Sequence, residues 1–156
     1  MTIALDDLIA PEGVMFDLRG ANKRAILLAL SVQAARLSGQ DENFVADIIL
    51  AREALGSTGF GAGTAIPHGR MATLPRIIAV VAKLAVPVDY VALDGLPVDL
   101  IVLMLAPAGA GADHLKALAR ISRALRDREF CDRLRGSASA DALYAQLVRD
   151  ARSEAA

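Results

Sequence analysis

The sequence predicts a mixed α/β protein in which helices flank both faces of a sheet of four or five strands. Amphipathic helical patterns stand on either side of a block of short apolar runs, as in a two-sided α/β sandwich. The run at residues 98–106 is apolar at almost every position, which is typical of a central strand buried on both faces. At 156 residues the chain can bury one full core, so a single domain over residues 1–156 is expected.

The elements follow in order along the chain. Residues 15–18 predict a short strand, and residues 22–38 predict a helix that Gly39 ends. A second helix is predicted over residues 42–55. Its expected buried stripe, at helical spacing, consists of Phe44, Ile48, Ala51 and Leu55.

The second half of the chain continues the pattern. Strands are predicted at residues 64–68, 77–84 and 98–106, with a short extended piece at 88–93. Asp113 is the expected cap of a helix that runs to about residue 126, and two further helices are predicted at 129–134 and 140–153.

Composition and charge exclude several classes of protein. Hydrophobic residues make up 54% of the chain and the mean hydropathy is +0.42. No apolar run approaches the roughly 20 residues of a membrane span. Acidic residues stand where a signal peptide carries positive charge, so a cytoplasmic protein is expected. The single cysteine, Cys131, allows no internal disulfide, and a net charge of −1 gives no overall attraction to nucleic acid.

The most informative motif extends from Gly56 to Arg70, where a glycine-rich run leads into a short strand that ends at His68. Pro67 fixes the backbone before the histidine, and Gly69 behind it allows close approach to the backbone amides. A histidine held in this way can attack phosphorus, transfer a proton or bind a metal. The motif by itself leaves all three chemistries open.

Two other side chains are candidates for the same site. On a helical wheel, Arg52 lies at the margin of the predicted buried stripe, one turn before the glycine run, while Glu53 is expected to point away from the core. Arg52 can reach an anion near the glycine run, or it can simply pack its aliphatic stem. His114 is predicted on the inward face of its helix, in the first turn, where the helix dipole favours a neutral imidazole. The alternative for His114 is a core histidine bonded to a carbonyl group.

Three other kinds of site, for ATP, for a dinucleotide and for a metal, are not predicted, because the residues that each requires are missing. The glycine run lacks the Gly-Lys-Ser/Thr ending of a P-loop, so ATP binding is not predicted. It also leads into a strand, whereas a dinucleotide fingerprint leads into a helix. The chain has no His-x-x-x-His pair or Cys/His cluster, so neither a metal nor another cofactor is predicted. The arginines of residues 120–135 alternate with acidic residues, which indicates a solvated helical face.

Taken together, three segments resemble the phosphorylation-site signature of a known family. Arg52-Glu53, Gly56-Ser57-Thr58-Gly59-Phe60-Gly61 and Ala65-Ile66-Pro67-His68-Gly69 are similar to the signature of fructose/mannitol-type enzyme IIA domains of the phosphoenolpyruvate-dependent phosphotransferase system. Within that family the chain most resembles the free-standing nitrogen-regulatory type, and the likeness covers nearly all of it. Thr64 departs from the pattern, because the family usually has an aliphatic residue there.

This resemblance implies that His68 accepts a phosphoryl group from an HPr-like carrier, without a metal or nucleotide cofactor, and relatives suggest Nε2 as the reacting nitrogen. Arg52 and His114 match positions that line the site in relatives. Backbone amides are expected to help bind the phosphate at Gly61, Ala62, Gly63 and Gly69. Two side chains are candidates for an apolar collar, or equally for the core, namely Phe60 and Ile66.

The implied function is regulatory: the phosphorylation state controls other proteins, such as potassium transport or sensor-kinase components. Since no transport segment is evident in the chain, direct sugar transport is not expected. Two alternatives stay open. The first is a sugar-route enzyme IIA that serves a separate enzyme IIB. The second is a non-catalytic sensor in which the loop from Gly56 to Gly63 binds an anion and His68 is never modified.

Overall fold

The computed structural model describes residues 5–155, with side chains described through Val148. Within this range, one sheet contains β1 (Val14–Leu18), β2 (Gly59–Gly61), β3 (Thr64–Ala65), β4 (His68–Met71), β5 (Ile78–Val88) and β6 (Val98–Pro107). The helices are α1 (Lys23–Ser38), α2 (Glu42–Leu55), α3 (Ala112–Arg126), α4 (Arg128–Arg135) and α5 (Ala140–Ala155). None of the helices in this range is long and apolar enough to cross a membrane.

Strand β6 is the centre of the sheet. On one side it pairs antiparallel with β5, and on the other it pairs in parallel with β3 and then with β4. Its side chains alternate between two cores: Ile101 and Leu103 pack with α1 and α2, whereas Val102 and Met104 pack with α3, α4 and α5. The predicted two-sided α/β architecture and the central strand are confirmed. The sheet has more strands than the four or five predicted, because short pairings involve β2, β3 and β4 separately.

The first two helices begin and end where the sequence predicts. The Asn22 side chain accepts the Ala25 N–H at 2.9 Å, and α1 ends at Gly39, which has the left-handed φ of 69°. The Asp41 side chain caps α2 by accepting the Phe44 N–H at 2.9 Å. These caps satisfy backbone groups that would otherwise lack partners at the helix ends.

The buried face of α2 differs from the predicted stripe. Phe44 is 50% exposed and Leu55 is 85% exposed, whereas Val45, Ile49 and Glu53 are buried. Both sets satisfy helical spacing, so periodicity alone does not choose between them. The fold buries the second set, in which Glu53 has hydrogen-bonding partners inside the protein. Of the predicted stripe, Ile48 packs partly against the core, and Phe44, Ala51 and Leu55 are exposed.

Three further predictions need correction. The strand predicted at residues 64–68 is interrupted between β3 and β4, because the Ile66 N–H bonds to the Thr58 carbonyl and Pro67 has no N–H. His68 therefore begins a strand. The short extended piece predicted at residues 88–93 is interrupted, because Val91 has a left-handed φ of 56° and Leu93 is in a turn. Helix α3 has Gly111 at its N-cap, with no capping side chain, and Asp113 lies inside the first turn.

Candidate functional site

Backbone contacts hold both the main chain and the ring of His68. It pairs with Met104 of β6, and the Pro67 carbonyl before it accepts the Met104 N–H at 3.0 Å. The His68 ring nitrogen Nδ1 lies 2.8 Å from the carbonyl oxygen of Ile66. Because a carbonyl oxygen can only accept, Nδ1 carries the proton in this contact. The lone pair of the neutral ring is therefore on Nε2.

His114 faces His68 from the first turn of α3. The two ring centroids are 6.0 Å apart, with the rings tilted by 59°. His114 is only 4% exposed, which confirms its predicted inward position, and its Nδ1 has no hydrogen-bond partner within the described residues. Burial lowers the pKa of His114 below its ordinary value of 6.5, and the positive charge of Arg70 and the ring of His68 lower it further. This environment favours the neutral imidazole.

The structure brings Arg52, His68 and His114 together around one open pocket of about 390 Å³. This His68 pocket lies at the edge strand β4, where the α2 layer and the α3 layer meet. Arg52 is half-buried and donates from Nη1 to the Gly56 carbonyl at 2.9 Å, which holds its guanidinium at the pocket. Arg70, two residues after His68 on the same strand, also lines it. Its place follows from strand alternation, which puts residues two apart on one face.

Gly69, which the sequence predicts as a phosphate-binding residue, borders the pocket, and the structure supplies a steric reason for a glycine there. A Cβ at this position would lie 2.4 Å from Cγ2 of Ile48, so α2 could not pack as closely against β4. The glycine therefore sets the distance between the helix that carries Arg52 and the strand that carries His68.

The pocket has an apolar rim, but it consists of other residues than the predicted Phe60 and Ile66. Ile48, Ala51 and Leu55 line it from α2, so most of the expected buried stripe of that helix in fact surrounds His68. Leu115, next to His114, is also largely exposed. A signal was present in the sequence, since α2 carries two adjacent apolar stripes and only one of them can face the core.

The loop from Gly61 to Gly63 does not join this pocket, which corrects the expectation that its amides surround His68. The Ala62 N–H donates to Asp94 at 2.9 Å, and the Gly63 carbonyl accepts the N–H groups of Asp99 and Leu100. Thr64 pairs with Leu100, whereas His68 pairs with Met104 further along β6, a separation of about 13 Å at the usual rise per residue. The hairpin of β2 and β3 thus places the glycine loop at the other end of the sheet.

The two candidates for an apolar collar do not form one. Phe60 lies with the glycine loop at that far end, lining a different pocket. Ile66 is buried in the core on the α3 side of the sheet, so its core alternative holds. Its contribution to the site is the backbone carbonyl that accepts from His68.

Behind the pocket, Glu53 is the centre of a buried polar cluster. Its carboxylate accepts from the Thr58 hydroxyl, accepts from the Tyr90 hydroxyl at 3.1 Å, and pairs with Lys23 at 2.8 Å. Burial raises the pKa of Tyr90 well above its ordinary value. Because Glu53 precedes Gly56 and bonds to Thr58, the cluster holds the segment whose carbonyl accepts from Arg52. Glu53 therefore does not point away from the core, as the sequence predicted.

A nucleophilic ring nitrogen, a guanidinium and a second imidazole around one open pocket suit the transfer of a charged group. No group of three or more metal-ligating side chains lies together in the part of the chain that the structure describes. Residues 7–149 match the family described as "Phosphoenolpyruvate-dependent sugar phosphotransferase system, EIIA 2". The chain belongs to this enzyme IIA family.

Similar proteins include members of the nitrogen-regulatory branch and of the mannitol branch. A nitrogen regulatory protein of Bradyrhizobium diazoefficiens is 48% identical over 144 residues, which cover 92% of this chain and 94% of that protein. The crystal structure of the nitrogen regulatory protein IIA-Ntr of Neisseria meningitidis matches with a TM-score of 0.85 and 30% identity, covering 91% of this chain and 97% of that one. The mannitol IIA structure of Escherichia coli shares the fold, with a TM-score of 0.73 and 20% identity, covering 89% of this chain and 98% of that one.

Proposed function

We propose that this protein is a phosphohistidine carrier of a nitrogen-related phosphotransferase system. The observation that carries the proposal is the bond from His68 Nδ1 to the Ile66 carbonyl at 2.8 Å, which leaves the lone pair on Nε2. In the proposed step, Nε2 attacks the phosphorus of a phosphohistidine on an HPr-like carrier. The new nitrogen–phosphorus bond forms on His68 as the old one breaks, and the carrier's imidazole leaves with the electron pair.

The charged groups of the pocket fit this step. Phosphoryl transfer asks a protein mainly to position the reactants and to stabilise the charge on the phosphoryl oxygens. Arg52, held by the Gly56 carbonyl, and His114, buried opposite His68, are the proposed donors to those oxygens. Arg70 and the first turn of α3 add positive potential on the same side. The proposed role of Gly69 is to let α2 pack closely against β4. The Gly61–Gly63 amides lie at the other end of the sheet and take no part in the proposed step.

The apolar rim gives the carrier a surface to dock on. Leu55 of this rim is exposed to solvent, and so are two large apolar side chains outside the pocket lining, Phe44 on α2 and Leu115 on α3. Contact with this rim would bring a second imidazole close to His68 and exclude water, so that the phosphoryl group is transferred and not hydrolysed. The carrier receives its phosphoryl group by a route that starts from phosphoenolpyruvate, so the proposed compartment is the cytoplasm.

The proposed output is regulatory. Relatives that this chain matches over nearly their whole length are named nitrogen regulatory proteins. A dianionic phosphoryl group at an otherwise apolar and cationic rim changes the charge of any interface formed there. The proposed targets are proteins such as potassium-transport or sensor-kinase components, each of which would recognise one phosphorylation state.

Intact-mass measurement tests the proposal. The protein is incubated with phosphoenolpyruvate, enzyme I and an HPr-like carrier, and parallel reactions omit the carrier. A gain of one phosphoryl group that requires the carrier and is absent in a folded His68→Ala variant is expected. An unmodified wild-type protein, or equal modification of the His68→Ala variant, would overturn the proposal.

A further inference from the structure

A second and larger concavity lies at the end of the sheet opposite to His68. This cavity, here called the α4 groove, has a volume of about 800 Å³ and lies between α4, the β2–β3 turn and the segment that connects β5 to β6. Its apolar lining comes from Phe60, Leu93, Leu96 and Leu125. None of these residues contributes to the His68 pocket.

Polar contacts of two side chains, Asp94 and Arg135, hold the walls of the groove together. Asp94 accepts the N–H groups of Ala62 at 2.9 Å and of Leu96 at 3.0 Å, which ties the connecting segment to the β2–β3 turn. Arg135 of α4 donates to the Ala62 carbonyl at 2.7 Å and pairs with Asp99. Ala62 has a φ of 55°, a left-handed conformation that a residue with a Cβ rarely adopts. The surrounding contacts therefore impose the shape of this turn, and the groove is formed before anything binds.

The rim of the groove is cationic. Arg126 and Arg128 are exposed at the junction of α3 and α4, and neither side chain forms an ion pair or hydrogen bond with the described residues. Arg135 also lines the groove, but its charge is paired with Asp99, and Asp132 is the acidic side chain among the lining residues. Unpaired arginines beside an apolar floor match a binding partner that presents carboxylates next to apolar side chains.

The apolar surface extends beyond the groove itself. Leu93 is 79% exposed, Leu96 is 53% exposed, and Val91 on the same segment is 69% exposed. A patch of this kind, rimmed by charged residues, is typical of a protein-binding surface, and a small ligand in the groove would leave much of it uncovered. An amphipathic helix, by contrast, places apolar side chains along the patch and acidic ones along the rim.

From this arrangement we propose that the α4 groove binds an acidic amphipathic helix of a partner protein. Its leucine-like side chains occupy the floor between Phe60 and Leu93, and its carboxylates pair with Arg126 and Arg128. The groove and the His68 pocket are at opposite ends of the sheet, so a partner bound here leaves His68 open to a phosphoryl carrier. This surface is independent of the chemistry proposed for His68.

A pair of synthetic peptides tests the proposal. Each has about 18 residues, or five helical turns, with leucines on one face. One peptide carries glutamates on the other face and its match carries lysines. Binding to the full chain is followed by amide NMR shifts. We expect the glutamate peptide to shift the signals of Phe60, Leu93 and Arg128, and to bind at least tenfold more tightly than the lysine peptide.

Variants of the protein supply the controls. An Arg126→Glu, Arg128→Glu double variant and a Leu93→Ala variant should each weaken binding of the glutamate peptide about tenfold, a loss of about 1.4 kcal/mol. Arg24→Glu, on α1 across the sheet, should not. Equal binding of the two peptides, shifts outside the groove, or unchanged binding by both groove variants would overturn the proposal. So would displacement of the peptide by decanoate at stoichiometric concentration, which would indicate a small-ligand site.

Discussion

The imidazoles of His68 and His114 face each other with centroids 6.0 Å apart, although one begins an edge strand and the other lies in the first turn of α3. His68 has its Nδ1 fixed by a backbone carbonyl, whereas His114 has a buried Nδ1 without a partner among the described residues. The two rings therefore have different roles available to them. The first presents a lone pair, and the second can respond to charge that arrives beside it.

The first prediction concerns the pH dependence of stability. The pKa of His114 is lowered in the folded protein, so near that pKa the unfolded chain binds more protons than the folded one. The stability contribution is complete above the ordinary value of 6.5 and is lost as the pH falls through the folded pKa. Urea unfolding at a series of pH values should show that His114→Gln lacks this part of the decrease. If the free energy of unfolding depends on pH in the same way for the wild type and the variant, the prediction is contradicted.

The second prediction concerns Arg52 in phosphoryl transfer. Removing one preorganised donor to a charged transition state commonly slows an enzyme by about a hundredfold. We expect Arg52→Ala to slow phosphorylation of His68 at least tenfold. Arg52→Lys should give an intermediate rate, because lysine keeps the charge but loses the planar fork that bonds to Gly56. Initial rates measured against Arg24→Ala, an exposed arginine far from the pocket, test this. If Arg52→Ala is phosphorylated as fast as Arg24→Ala, Arg52 takes no part in the transfer.

The third prediction tests the steric role of Gly69. The Cβ of a Gly69→Ala variant would meet Ile48 Cγ2 at 2.4 Å, and overpacking of this kind costs about 1–3 kcal/mol. The double variant Gly69→Ala, Ile48→Ala removes the clash, so it should be more stable than the sum of the single effects by about 1 kcal/mol. Gly109→Ala, which has open space, is the control and should change the free energy of unfolding little. Strict additivity in the Gly69 and Ile48 cycle would show that the helix simply moves aside.

The fourth prediction concerns the buried cluster around Glu53. Glu53→Ala leaves the Tyr90 hydroxyl without its carboxylate partner and Lys23 without its ion pair, so we expect a loss of about 3 kcal/mol. Glu42→Ala removes an exposed carboxylate from the same helix and should cost about 0.5 kcal/mol or less. Denaturant unfolding of both variants makes the comparison. Similar losses for the two would mean that the Glu53 cluster contributes no net stability.

The parts of the molecule that local chemistry determines are predictable from the sequence. Asn22 and Gly39 mark the ends of α1, and an apolar run marks the central strand β6, because capping and two-sided burial leave direct traces in the sequence. The inward position of His114 followed from helical periodicity in the same way.

The parts that could not be predicted depend on contacts between distant segments. Which of the two apolar stripes on α2 faces the core depends on tertiary packing, and the buried one includes Glu53, whose partners Tyr90 and Lys23 come from other segments. The position of Gly61–Gly63 depends on the β2–β3 hairpin, whose turn residues resemble a phosphate-binding loop in composition alone. The loop is close to His68 in sequence, which suggested that it is also close in space. The β2–β3 hairpin instead places it at the other end of the sheet.

The most direct test of the central claim identifies the ring nitrogen that carries phosphorus. Protein labelled with nitrogen-15 in its histidines is phosphorylated and studied by NMR through nitrogen–phosphorus coupling, with each ring assigned using a His114→Gln variant. We expect the phosphorus on Nε2 of His68, with Nδ1 still protonated and bonded to Ile66. Phosphorus on Nδ1, on His114 or on no histidine at all would contradict the proposed role of His68.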